Sequence, residues 1–147
     1  MKATLQSLFK RDLEKLKTEI EQYSTEANLW RTDKSITNSA GNLCLHLIGN
    51  LNAFIGAALA KTDYVRDREF EFAGKDVPRT SLLQQIDETM VVVEKGLDAL
   101  TDETLSGEFP IQIWGKPIGT EFTVIHLLSH LNYHLGQINY HRRLLDN

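Results

Sequence analysis

The sequence predicts an all-α fold, a four-helix bundle, and three observations carry that prediction. Apolar residues recur at three- and four-residue spacing in four separate stretches, the mark of helices with one buried face. The three prolines and four of the nine glycines fall between those stretches. One connection, between the second and third stretches, is about 18 residues long, a length typical of segments that are functional or that cross a bundle. The 147 residues read as one domain, 1–147. A chain of this size buries roughly 68–70% of its unfolded surface and needs no covalent staple. The single cysteine, Cys44, permits no internal disulfide and is expected to be a small core residue.

The first helix is expected from about Thr4 to Tyr23. Leu5, Leu8, Phe9, Leu13, Leu16, Ile20 and Tyr23 share its core side, while Arg11, Lys15, Glu19 and Glu21 take the others. Trp30 falls in the following loop. The second helix runs from about Asn38 to Lys61, with Asn38 or Ser39 accepting a bond from a free amide at its start. Leu43, Leu47, Leu51, Phe54, Ala58 and Leu59 form one stripe. His46, Gly49, Asn50, Ala53 and Ala57 form another, whose small residues let a second backbone approach closely. Gly41, Gly49 and Gly56 each cost roughly 1 kcal/mol against alanine inside a helix, which weakens its continuity.

The connection 62–79 is charged and aromatic. The third helix runs from about Ser81 to Leu100, with Ser81 and Gln84 at capping-box spacing and Leu83, Ile86, Met90, Val93, Leu97 and Leu100 facing the core. Between 101 and 120, turn signals stand at Ser106-Gly107, Gly115-Lys116-Pro117 and Ile118-Gly119. The run Phe109 to Trp114 is either one strand of a small hairpin or coil. The fourth helix runs from about Glu121 to Leu145. Thr120 is its expected cap, and Glu121 at the start and Arg142 and Arg143 at the end complement its dipole.

Charge excludes several classes of function. With 16 basic and 20 acidic residues the net charge is −4, and no basic run stands out, so no nucleic-acid partner is expected. No stretch approaches the roughly 20 apolar residues that span a bilayer. The first twenty residues carry charge throughout, unlike a secretory leader. The expected setting is cytoplasmic.

Chemistry concentrates in the fourth helix, which holds four of the five histidines: His126, His130, His134 and His141. At about 100° per residue they occupy an arc of roughly 80° bordering the apolar face of Leu127, Leu131, Leu135 and Ile138. Histidines at i and i+4 project alike, so two imidazole nitrogens reach one ion at roughly 2.0–2.1 Å. Spacing alone leaves open which pair does so and whether the histidines instead form a polar seam. The fifth histidine, His46, sits mid-helix on the small-residue stripe, where it can face the fourth helix and complete a set of three. Three nitrogen ligands suit zinc, nickel or copper better than magnesium or calcium.

The segment His130-Leu-Asn-Tyr-His134-Leu-Gly-Gln137, with His46 on an earlier helix, resembles the DinB-like superfamily of four-helix proteins. Asn38 to Leu43 and Tyr64 to Arg68 resemble one uncharacterised branch of it. The resemblance covers nearly the whole chain. It implies an up-down-down-up path, a homodimer, and one divalent ion held by His46, His130 and His134, with zinc or nickel ahead of manganese or iron. It also implies an activity: metal-dependent transfer using a low-molecular-weight thiol such as bacillithiol or mycothiol, acting on a small electrophile. A metal-dependent hydrolase and a non-catalytic metal- or ligand-binding stress protein remain alternatives.

Other residues carry weaker expectations. Asn50, one turn after His46, either orients a ligand or bridges helices. His126 is a group behind the ligands or a rim residue, and the candidate fourth ligand of a closed site. Gln137 either fixes the site or is merely exposed. His141, Tyr133 and Tyr140 are expected in packing, with the helix dipole and a dimer face as further uses. Arg66, Arg68 and Arg79 either meet an anionic substrate or make local ion pairs.

Overall fold

Leu5, Phe9, Leu13, Leu16 and Ile20 lie along one side of a helix, and all five are buried. They mark α1 (Lys2–Glu21) in the computed structural model, which describes residues 1–147 and is helical in every regular element. A 3-10 turn, Glu26–Trp30, follows where a loop was expected. It lays the Trp30 ring against Gly41, where a Cβ would come within 2.7 Å of the ring.

Helix α2 (Ala40–Leu51) is capped by Ser39, whose Oγ accepts from Asn42 N at 3.1 Å, so Ser39 and not Asn38 closes the first turn. Every residue of α2 is buried. The helix does not continue as α to Lys61. It widens into a π turn over Asn52–Ala57, with Ala58 N donating to Ala53 O. The long connection contains a helix unseen in the sequence, α3 (Arg68–Ala73), capped by Asp67 Oδ1 accepting from Phe70 N at 3.0 Å. Asn42 holds α3 down, donating from Nδ2 to the carbonyls of Glu71 and Gly74 at 3.0 and 2.8 Å.

Helix α4 (Arg79–Asp98) starts two residues early. The Pro78 carbonyl accepts from Ser81 N and Leu82 N, so Ser81 already lies inside the helix and its Oγ accepts from Gln85 instead of capping. A short α5 (Asp102–Ser106) is closed by a capping box between Thr101 and Thr104. No strand forms over Phe109 to Trp114. Pro110 lacks an amide, and pairing stops at the bridge between Glu108 and Gly119. Helix α6 (Thr120–Leu145) begins at Gly119; Thr120 is buried in its first turn and does not cap.

Side-chain contacts fix the helix directions. Lys2 reaches Asp98 and Lys17 reaches Asp87, so α1 and α4 are antiparallel. Asp12 meets Asn132 and Glu19 meets Asn139, so α1 and α6 are parallel. Asn52 meets Thr89 and Ile55 packs on Gly96, so the α2–π segment runs parallel to α4. Leu16, Ile20, Leu47, Leu51, Ile86, Leu97, Leu131 and Ile138 fill the space between these helices. Each such side chain contributes roughly 1.5–3 kcal/mol by leaving water. No helix is long and apolar enough to cross a membrane.

Candidate metal centre

Burial of the whole of α2 carries His46 to 7% exposure. Opposite it, His130 and His134 lie one turn apart on α6, both partly buried. His46 Nε2 and His134 Nε2 each lie 3.1 Å from His130 Nε2, and one ligand atom from each of the three residues falls within 4.8 Å of the others. Donors about 2.0–2.1 Å from a tetrahedral zinc stand roughly 3.3 Å apart, close to the two separations of 3.1 Å about His130.

Neighbouring groups decide where the ring protons sit. His46 Nδ1 lies 2.9 Å from the Glu71 carboxylate, which only accepts, so Nδ1 carries the proton and Nε2 presents a lone pair. His134 Nδ1 lies 2.7 Å from Gln137 Oε1, with the same consequence. Burial, aided by His134 and His46, pushes the His130 pKa down to about 4. Burial also lowers that of His46, against the opposing pull of Glu71. His46 and His130 are therefore neutral near pH 7. The buried His130 Nδ1 has no partner. Converging nitrogen lone pairs are a donor set for zinc, nickel or copper, and a carboxylate behind a ligating histidine orients it and raises its basicity.

Glu71 is the residue that sequence reading missed. It is 4% exposed on α3 and takes a two-pronged bond from Arg66, Nε to Oε2 at 2.8 Å and Nη2 to Oε1 at 2.9 Å. Its carboxylate lies in a notch made by Gly49, where a Cβ would come within 1.9 Å of Oε2. The small residue at 49 thus admits a carboxylate and not, as expected, a second backbone. Asp67 followed by Glu69 and Glu71 is a helix-start pattern, and the glycine inside α2 is a second signal.

The remaining expectations divide. Gln137 fixes a histidine, although it is exposed. Asn50 is buried without a partner for Oδ1, so it does not bridge helices. His126 stays out of the cluster: it is exposed, its ring lies 6.4 Å from that of His130, and it packs on Trp114 and Phe122. His141 is a packing residue, bonded to Tyr23 Oη at 2.7 Å and Arg31 O at 2.8 Å. Tyr133 and Tyr140 are 65% and 61% exposed, so they do not pack within the chain. Arg66 makes the local ion pair, and Arg79 binds the carbonyls of Glu21 and Tyr23, away from the histidines. Arg68 lines a cavity of about 310 Å³ that reaches His46 and His130 and includes Asn50, His126 and Trp114. Cys44 is buried, and burial pushes its thiol up to about 12.

A family model described as "Protein of unknown function (DUF1572)" matches residues 2–147. No curated protein matches the chain. The fold is similar to a crystal structure described as a conserved protein from Enterococcus faecalis, with a TM-score of 0.77, 20% identity, and coverage of 99% of this chain and 96% of that one. That likeness concerns the fold alone.

Proposed function

The chain belongs to the family described as "Protein of unknown function (DUF1572)", and we propose that it is a metal-dependent enzyme whose His46, His130 and His134 hold one divalent ion, zinc or nickel before manganese or iron. The observation that carries this reading is the convergence of three Nε2 atoms while Glu71 and Gln137 commit the far nitrogens of two rings to donating. Helix directions support an up-down-down-up bundle of the DinB-like kind.

A closed structural site needs a fourth protein ligand. His126, the candidate, packs on Trp114 and Phe122 with its ring 6.4 Å from that of His130, and a cavity adjoins His46 and His130. Both features favour an open, catalytic site. A bound ion would lower the pKa of a thiol or a water reaching it. With the resemblance, this favours a thiol-dependent S-transferase acting on a small electrophile; hydrolysis is the alternative at the same site. The chain's own part is to orient the rings through Glu71 and Gln137 and to wall the cavity with Phe54 and Trp114. Exposed Phe122, Ile125, Tyr133, Tyr140 and Leu144 along α6 support a homodimer. The setting proposed is cytoplasmic.

Metal analysis of untagged protein tests the site. About one ion per chain is expected in the wild type, and loss of it in His46→Ala, His130→Ala and His134→Ala. Protein that takes up neither zinc nor nickel nor manganese ends the reading. A screen of low-molecular-weight thiols against small electrophiles then separates transfer from hydrolysis.

A further inference from the structure

Building on that metal site, we infer that the cavity beside it selects a small organic anion that also carries a hydrogen-bond donor, with Arg68 meeting the charge and Asn50 accepting the bond. No aspartate or glutamate lines the cavity. Arg66 is matched by Glu71. Arg68 pairs with no carboxylate; its guanidinium lies 5.3 Å from the centre of the Phe72 ring. The unmatched charge facing the cavity is positive, and a divalent ion on the histidines adds to it.

Asn50 supplies the second requirement. It is 7% exposed, lines the same cavity, and its Oδ1 is buried with no partner. A buried amide oxygen without a donor is costly; the amide nitrogen makes no hydrogen bond either, so a half-turn of the group brings the oxygen to the cavity, where donation from a ligand removes the penalty. A site built this way rejects an analogue that lacks the donor more strongly than a site built on apolar contact. Phe54 and Trp114 give the cavity apolar walls, and its volume of about 310 Å³ limits the ligand to a small molecule.

Glycolate and propionate isolate the donor: both are carboxylates of nearly equal size, and a hydroxyl in one replaces a methyl in the other. Calorimetric titration of the full chain, metal-free and cobalt-loaded, should show glycolate binding about tenfold more tightly. In Asn50→Leu the preference should shrink to within twofold, and Asn50→Ala repeats the test if the first variant folds poorly. Arg68→Gln should weaken both acids alike. Failure of either acid to bind, equal affinities in the wild type, or a preference that survives both Asn50 variants overturns the inference. A preference seen only with cobalt and indifferent to Asn50 is chelation and also overturns it. If cobalt fails to bind but the metal-free chain still discriminates through Asn50, the metal reading falls and the assignment of Asn50 stands.

Discussion

Gly49→Ala puts the arrangement around Glu71 to a quantitative test. In an ordinary helix interior the change stabilises by roughly 0.5–1 kcal/mol, because alanine loses less backbone entropy on folding. Here the new methyl would stand 1.9 Å from Glu71 Oε2 and 2.6 Å from Cδ. The carboxylate has to leave its notch, and with it go the bond to His46 Nδ1 and both bonds from Arg66. Breaking a buried ion pair costs about 3–5 kcal/mol. The net expectation is destabilisation by about 2–4 kcal/mol, the difference between those two terms. Urea unfolding of the metal-free protein, followed by far-ultraviolet circular dichroism, measures it. Zinc affinity, read by competition with a chelating dye, should fall about 10–100-fold, as it does when the partner behind a ligating histidine is lost. A variant more stable than the wild type, with unchanged zinc affinity, would refute the claim that the carboxylate needs the glycine.

Other perturbations separate local from distant effects. Gly136 on the exposed side of α6 has nothing within 4 Å of a would-be Cβ, so Gly136→Ala should raise the stability of the monomer by roughly 0.5–1 kcal/mol, measured by urea unfolding at low protein concentration. Asn42→Ala removes two of the bonds that hold the 62–79 connection to α2; a loss of about 2–3 kcal/mol is expected, with faster proteolysis inside residues 62–79. Burial depresses the pKa of His46, His130 and His141 from the ordinary 6.5. The unfolded chain therefore takes up protons that the folded chain refuses. Stability of the metal-free protein is full above about pH 6.5 and falls as pH drops from there toward about 4, where His130 titrates. Urea midpoints at pH 7, 6 and 5 should decline in that order. His141→Gln should flatten part of the slope, and a level profile would contradict the sign.

The sequence disclosed the parts of the site that repeat. His130 and His134 are legible because a helix places every fourth residue on one side, and the long helices are legible for the same reason. Helix α3 was hidden because six residues are too few to show a period; only Asp67 and the acids after it mark its start. The caps at Ser81 and Thr120 misled because spacing reports which side chains are able to cap, not which backbone closes the first turn. At Ser81 the Pro78 carbonyl had already done so. At Thr120 the amide donates to Gly107 O and the residue is drawn into the core. Tyr133 and Tyr140 looked like packing residues because aromatic side chains usually are, yet the core at that level is already closed by Leu131, Leu135 and Ile138.

The length of the 62–79 connection has a physical account in the same contacts. A short loop would join the end of the π turn directly to α4. This one turns back along α2 as far as Asn42 and delivers three side chains beside His46. Glu71 fixes the ring, Arg66 neutralises Glu71 so that a carboxylate can be buried beside a neutral imidazole, and Arg68 is left facing the cavity. The two residues that anchor this excursion, Asn42 and Gly49, both lie on α2 and bracket His46 by about one turn each way. A helix buried along its whole length thus carries His46, the tether that returns the connection, and the notch that receives its carboxylate. That concentration explains why α2 tolerates glycine in its interior: the helical propensity given up at residue 49 is offset by the ion pair and hydrogen bond that the missing methyl permits.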